Sequence, residues 1–281
     1  MRIIIDNLKT VANLSIILLF SGNVFAAQTA VHRDLIKAAD KQSSNSYAFK
    51  KCRNLQSKPF NPASKKKKAI IVGDSQGCDF LNGVLENGYL SNYQIAFRFI
   101  PYPCQLVPGE NRSKYIRPQD HQLCSPRNER TDNLEEAKKQ IEQADLVIMA
   151  ALWKPEVSQK LPKVIRYLNL KQRQKLIVVG NKFFGKMSIH DYIHMPRQEI
   201  KTLRNEVGTT SLHINATLKT KVKKQAVFVD PHQLVCGDNT TCPVFTDRLQ
   251  LISYDGRHLT KAGARYIGKI LFQQSPLKKI R

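Results

Sequence analysis

The chain is short of acid: 22 aspartates and glutamates stand against 45 lysines and arginines, for a formal charge of +23 over 281 residues. It has a single tryptophan. Beyond the first 20 residues it has no apolar run long enough to cross a bilayer, so the remainder is expected to be soluble. None of its six cysteines stands two residues from another and no histidine cluster accompanies them, which argues against a structural zinc site. No segment repeats, which removes solenoid and propeller architectures. A basic surplus attracts polyanions, but no nucleic-acid-binding motif goes with it.

What is present starts at the N-terminus. Arg2 and Lys9 precede an apolar stretch from Val11 to Phe20, and Ser21-Gly22-Asn23-Val24-Phe25-Ala26 follows with small residues suited to peptidase cleavage. This predicts a secretory signal peptide over residues 1–26. The competing reading, an uncleaved anchor, is disfavoured by the short apolar core and the Val-x-Ala ending. The mature chain is then expected in the periplasm or secreted. Cys52, Cys78, Cys104, Cys124, Cys236 and Cys242 all lie beyond the leader, and an even count in an exported protein favours disulfides. The residues alone leave all fifteen pairings open.

Residues 27–67 are polar and lead into the run Lys65-Lys66-Lys67-Lys68. They read as an extended N-terminal segment ahead of a single domain over 68–281. From there strand and helix alternate. Strands are expected at 69–72, 94–100, 146–151, 175–179 and 226–229. Helices are expected near 78–87, 133–144 and 157–168 and after residue 260, with a Pro/Cys-rich excursion to residue 130 and a partly helical insertion over 189–224. This alternation predicts an α/β fold, a three-layer α/β/α sandwich around a mostly parallel sheet.

Two stretches carry chemistry. Ile70-Ile71-Val72-Gly73-Asp74-Ser75 is a buried-strand pattern that stops at a turn with a hydroxyl at its tip. Tyr254-Asp255-Gly256-Arg257-His258-Leu259-Thr260 sets a carboxylate and an imidazole three residues apart, so that both can face one way ahead of a helix capped by Thr260. A serine hydroxyl is a weak nucleophile at neutral pH. It needs a base in hydrogen-bond reach and a third group that holds the base in the right tautomer. Ser75, His258 and Asp255 supply those three roles. Read singly, each stretch is also an ordinary motif: a strand-ending turn and a helix N-terminus. Asp74 reads as a turn residue that holds the loop, and Asp255 as the orienter of His258. At the carboxyl edge of a parallel sheet the two stretches can meet.

Together these stretches resemble the SGNH (GDSL-type) esterase and acyltransferase superfamily, with Gly73-Asp74-Ser75 as the nucleophile block and Asp255-Gly256-Arg257-His258 as the Asp-x-x-His block. The chain is similar above all to the SGNH domains fused behind membrane acyltransferase-3 domains in bacterial surface-glycan O-acetylation. Ala144-Asp145-Leu146-Val147-Ile148-Met149-Ala150-Ala151-Leu152-Trp153 looks like that group's central strand, and Val229-Asp230-Pro231 with Cys236 and Cys242 like its pre-catalytic loop. The likeness runs from about residue 68 to 273. It implies a flavodoxin-like sandwich and carries Ser75, His258 and Asp255 over as nucleophile, base and orienter. Gly180-Asn181-Lys182 is the nearest counterpart of the superfamily's Gly-x-Asn-Asp block, without its aspartate. The oxyanion donors implied are therefore the Ser75 N–H and Asn181. The family-like loops also imply the pairs Cys236 with Cys242 and Cys104 with Cys124, which leaves Cys52 for Cys78.

The expected activity is cleavage or transfer of an O-acyl group, acetyl in particular, on a cell-envelope carbohydrate, through an acyl-enzyme and with no cofactor or metal. The substrate is expected to be an acylated carbohydrate or small ester, with an acidic envelope glycan or a separate membrane acyltransferase as partner and no nucleic acid. The alternative is a non-catalytic protein that binds glycan or lipopolysaccharide through its basic surface, since fold does not fix function. Trp153 reads as packing or as an acyl-pocket wall. His32, His121, His213 and His232 read as surface or structural residues. His190 and His194 share a helical spacing but have no third ligand in a fitting motif.

Overall fold

The computed structural model describes residues 31–238 and 240–280. The expected signal peptide lies outside the described residues. Short, largely apolar runs form a central sheet of β1 (Lys67–Gly73), β2 (Tyr93–Phe99), β3 (Leu146–Ala150), β4 (Lys175–Val179) and β5 (Val227–Val229). Their order is β2-β1-β3-β4-β5, with every neighbouring pair parallel. Strands covered by helices on both faces read as continuous apolar runs rather than as alternating ones. Within each strand the pleat still sends successive side chains to opposite sides. Ala69 and Ile71 join one core and Ile70 and Val72 the other.

The helices supply the outer layers. α1 (Lys41–Leu55), α2 (Ser75–Glu86) and, at the C-terminus, a helix over Lys261–Gln274 cover one face, with Leu81, Val84, Ile267 and Phe272 buried beside Ile71 and Ile148. α3 (Leu134–Ile141), α4 (Pro155–Leu168) and α5 (Thr210–Val222) cover the other, with Ile141, Leu161, Val164 and Leu218 beside Ile70 and Val147. A short α6 (Pro231–Cys236) precedes the C-terminal helix, which is α7. The strand order reverses direction between β1 and β3, and in such sheets ligands bind in the crevice outside the carboxyl ends of the strands at that point. Ser75 stands two residues after the end of β1.

The N-terminal segment is helical where its composition reads as extended. Residues 31–39 are helical, and α1 is capped by Asp40, whose carboxylate accepts from the N–H groups of Gln42 and Ser43 at 3.0 and 3.1 Å. The apolar face of α1 is narrow: Ala48 and Cys52, one turn apart, are both buried. Two small residues in a polar helix leave almost no periodic signal. α1 is joined to α2 through the Cys52–Cys78 bridge and the Ala48 carbonyl, which accepts from Asn82 Nδ2 at 3.0 Å. Val31, Leu35 and Ala38 join Tyr192, Val244, Leu251 and Tyr254 in a third cluster under the loop that carries Asp255.

α2 also begins earlier than its apolar residues indicate, at Ser75 itself. The insertion over 189–224 contains short helices at Ile189–His194 and Arg197–Thr202, then α5. Between them Arg204–Glu206 pairs antiparallel with Thr241–Pro243. Three disulfides are formed, Cys52–Cys78, Cys104–Cys124 and Cys236–Cys242.

Candidate active site

The first motif is shaped by close backbone approach. A Cβ on Gly73 would lie 1.7 Å from the Ala150 carbonyl oxygen, so β1 can reach its tip beside β3 only with glycine there. Asp74 then caps α2 from inside the protein. Its carboxylate accepts from Gln76 N at 2.9 Å and from Leu152 N at 3.1 and 3.0 Å, which fastens the start of α2 to the segment after β3. Burial pushes the Asp74 carboxyl up to about 6, against those backbone hydrogen bonds and the charge of Lys182, which pull the other way. Ser75 is the first residue of α2. Its N–H is one of the first-turn donors that no intrahelical carbonyl can satisfy, at the positive end of the helix dipole.

The second motif is a tight loop ahead of α7. Gly256 has φ +86°, and a Cβ there would meet the Gly185 carbonyl at 1.9 Å. Asp255 accepts from the N–H groups of Arg257 and His258 at 2.9 and 2.8 Å, and its other oxygen lies 2.6 Å from His258 Nδ1. Partial burial acts to raise the Asp255 carboxyl, but the hydrogen bonds from His258 and Arg257 outweigh it and hold the group down at about 2. A carboxylate on Nδ1 fixes the tautomer with the proton there and leaves Nε2 as the basic nitrogen. The ring is held between Tyr254, stacked at 5.8 Å, and Phe49 of α1, tilted at 5.4 Å. Thr260 caps α7 by accepting from Gly263 N at 3.0 Å.

Ser75, His258 and Asn181 all line one cavity of about 820 Å³. Among the described residues no hydrogen bond joins the Ser75 hydroxyl to His258. Asn181 lies on the loop after β4, and its Oδ1 accepts from Trp153 N at 2.8 Å. That bond turns the amide so that Nδ2 is the end left to donate. Asn181 is anchored through its backbone as well: its N–H donates to Asn215 Oδ1 at 2.7 Å and its carbonyl accepts from Asn215 Nδ2 at 3.0 Å. Asp230, the acid of the Val-Asp-Pro segment, accepts from Asn215 at 2.7 Å and from Gln233 N at 3.1 Å at the start of α6. Trp153 lines the same cavity, and its indole N–H donates to the Val179 carbonyl at 2.8 Å.

Lys182, the residue that departs from the expected Gly-x-Asn-Asp block, has a partner that sequence reasoning missed. Its Nζ lies 2.6 Å from Asp79 on α2 and 2.6 Å from the Arg257 carbonyl, and the pair is almost wholly buried. The other Asp79 oxygen accepts from Leu259 N at 3.1 Å. Gln76 adds two reciprocal bonds to the Lys182 backbone, both at 3.1 Å. One buried ion pair thus ties together the helix that begins at Ser75, the loop of Asn181 and the loop of His258. A signal was available: Asp79 sits among apolar residues on the inner face of a helix, and a buried carboxylate there requires a cation.

The remaining histidines lie elsewhere. His190 and His194 are on the exposed short helix with ring centroids 5.1 Å apart, and His32 and His121 contact the backbone carbonyls of Ile193 and Ile116. His232 is buried near Cys236 and Cys242, whose sulfurs are bonded to each other and so offer no thiolate to a metal.

The parallel five-stranded sheet between two helical layers is the three-layer α/β/α fold of SGNH hydrolases, with Ser75 at the switch point and the Asp255–His258 pair on the loop before α7. The family model of the SGNH domain fused to AT3 domains matches residues 38–273, and the chain belongs to that family. It is thereby an SGNH-type acyltransferase or esterase. The match begins inside the N-terminal segment, at the base of α1. Among solved structures the chain is similar to the C-terminal catalytic domain of Streptococcus pneumoniae peptidoglycan O-acetyltransferase A, solved with a methylsulfonyl adduct. That similarity has 12% identity and a TM-score of 0.35, and covers 74% of this chain and 94% of that one. No curated protein matches.

Proposed function

We propose that this protein is an exported serine enzyme that cleaves or transfers O-acyl groups, chiefly O-acetyl, on cell-envelope carbohydrate. The observation that carries this reading is the 2.6 Å contact of Asp255 with His258 Nδ1 in a loop that lines the same cavity as Ser75. Ser75 Oγ attacks the ester carbonyl while His258 Nε2 takes its proton, the two closing to hydrogen-bond distance of about 2.6–3.2 Å around the bound ester. The tetrahedral oxyanion accepts from the Ser75 N–H and Asn181 Nδ2, and one such donor contributes on the order of a hundredfold in rate. Collapse expels the alcohol, which takes the proton from His258 and leaves Ser75 acylated. Water or a sugar hydroxyl, deprotonated in turn by His258, then receives the acyl group.

Hydrolysis and transfer differ only in which acceptor reaches the acyl-enzyme. Transfer to a glycan outside the cytoplasm needs an acyl supply, and the fusion of this family's domains to AT3 membrane domains supports a membrane acyltransferase as that partner. Export is supported by the leader pattern and by three disulfides, which persist in oxidising compartments. The test compares the purified protein with its Ser75→Ala variant on p-nitrophenyl acetate and on an acetylated sugar. Release is expected to fall about a thousandfold or more in the variant. Equal release by the two proteins would overturn the assignment.

A further inference from the structure

The cavity that holds Ser75 and His258 is also cationic. Arg53, Arg130 and Arg257 line it, while Asp74 is the one acid among the described residues that does so. Both oxygens of Asp74 are taken up by backbone N–H groups, and Lys182, a fourth lining cation, is already neutralised by Asp79. The three arginines have no ion-pair partner among the described residues. Asp132, the acid whose charge acts on Arg53, is held by Arg98, by Ser57 Oγ and by Phe99 N.

The Arg53 side chain is positioned by the fold, and Arg130 and Arg257 are held through their backbone carbonyls. The Arg53 guanidinium lies 3.6 Å from the centroid of Phe99, and its NH1 donates to Gln56 Oε1 at 2.7 Å and to the Arg130 carbonyl at 2.6 Å. Arg53 follows Cys52, whose disulfide to Cys78 ties α1 to the helix that begins at Ser75. Arg257 stands between Asp255 and His258, in a loop fixed by the Lys182 contact to its carbonyl. Tyr102, an exposed aromatic, adds a wall to the same cavity. Guanidinium groups without a carboxylate partner, beside a nucleophile, present the forked donors that match a carboxylate or phosphate.

We propose that Arg53, Arg130 and Arg257 form a subsite for an anionic group, a carboxylate or phosphate on the sugar, so that the substrate is an acidic glycan. The proposal rests on the serine-enzyme reading for its substrate, but not for its measurement. The Ser75→Ala variant is titrated calorimetrically with an oligogalacturonate, a phosphorylated oligosaccharide and a neutral glucan oligosaccharide of equal length. At least one acidic ligand is expected to bind about tenfold or more tightly than the neutral one, and its identity distinguishes carboxylate from phosphate. Arg53→Gln with Arg130→Gln in the same background is expected to abolish that preference. Arg53→Lys with Arg130→Lys, which keeps the charge, retains part of it and controls for folding. Lys219→Gln with Lys221→Gln, which removes the same charge from the far end of α5, leaves the preference in place.

Equal affinity for acidic and neutral ligands would overturn the subsite. So would an equal loss in the Lys219/Lys221 and Arg53/Arg130 variants, since the effect would then be one of net charge alone. Because binding is read without turnover, it stands apart from ester cleavage. Loss of the serine assignment would appear as cleavage by Ser75→Ala, and loss of the subsite as indifference to the ligand's charge.

Discussion

At the scale of single residues, Asp74 has the most tightly defined surroundings in the first motif. Its carboxyl is raised by burial to about 6 from an ordinary 3.8. Between those values the folded chain holds more protons than the unfolded one, so the contribution of Asp74 to stability is full below about 3.8 and declines as pH rises towards 6. Asp255, held at about 2, has the opposite sign: its contribution is present above 3.8 and is lost as pH falls towards 2. Urea denaturation of wild type and Asp74→Asn across this range is expected to show wild type losing stability relative to the variant from about pH 4 to pH 6, with a constant difference above. Parallel curves would refute the buried-acid account. Ser75, Asp255 and His258 could be singled out in the sequence because each motif gathers neighbouring residues, and the contact of Asp255 with His258 is local to one loop. Asp79 and Lys182 were not, because they are distant in the chain and their pairing exists only in the fold.

Elements explain which parts of the architecture could be read in advance. Four of the five strands are short apolar runs that include β-branched residues, while β2 at the sheet edge sets Gln94 and Arg98 among apolar residues, and their order in the chain carries the parallel sheet with it. α1 was hard to read because its only fully buried residues are the small Ala48 and Cys52, with Tyr47, Phe49 and Leu55 only partly buried against the core. The placement of α1 is set by the Cys78 bridge and by contacts to α2 that no local pattern encodes. The Asp79–Lys182 pair joins elements in the same way, since α2, the loop after β4 and the loop before α7 all end on it. Removing one partner of a buried ion pair strands the other, at a cost of about 3–5 kcal/mol. Lys182→Met is expected to lose stability on that scale in urea titrations. Asp79→Leu combined with Lys182→Met should recover most of it, because an apolar replacement strands no charge. Activity should not recover with stability: the double variant no longer holds the Arg257 carbonyl or the Leu259 N–H, so kcat on p-nitrophenyl acetate stays below wild type. A loss below about 1 kcal/mol in Lys182→Met would show that the pair does not carry the junction.

At the scale of the whole molecule the basic surplus becomes a property of the surface. The charge of +23 belongs to a chain in which Lys65, Lys67, Lys219 and Lys221 form no ion pair among the described residues and do not line the cavity of Ser75. Charges spread over an exposed surface act on polyanions through solvent, and their reach shrinks from about 10 Å at 0.1 M salt to about 3 Å at 1 M. The intact protein is therefore expected to be retained on an immobilised acidic polysaccharide at low salt and released as salt rises. Gln at all four lysines should shift elution to lower salt without changing cleavage of p-nitrophenyl acetate, because none of them lines the cavity. Retention that persists at about 1 M salt would mean that apolar or stacked contacts, not surface charge, hold the glycan. Unchanged elution of the four-lysine variant would return the attraction to the arginines around Ser75. A shift in elution with cleavage unchanged would separate the two: a basic surface that gathers an acidic polymer at long range, and a basic cavity that selects which of its sugars reaches the serine.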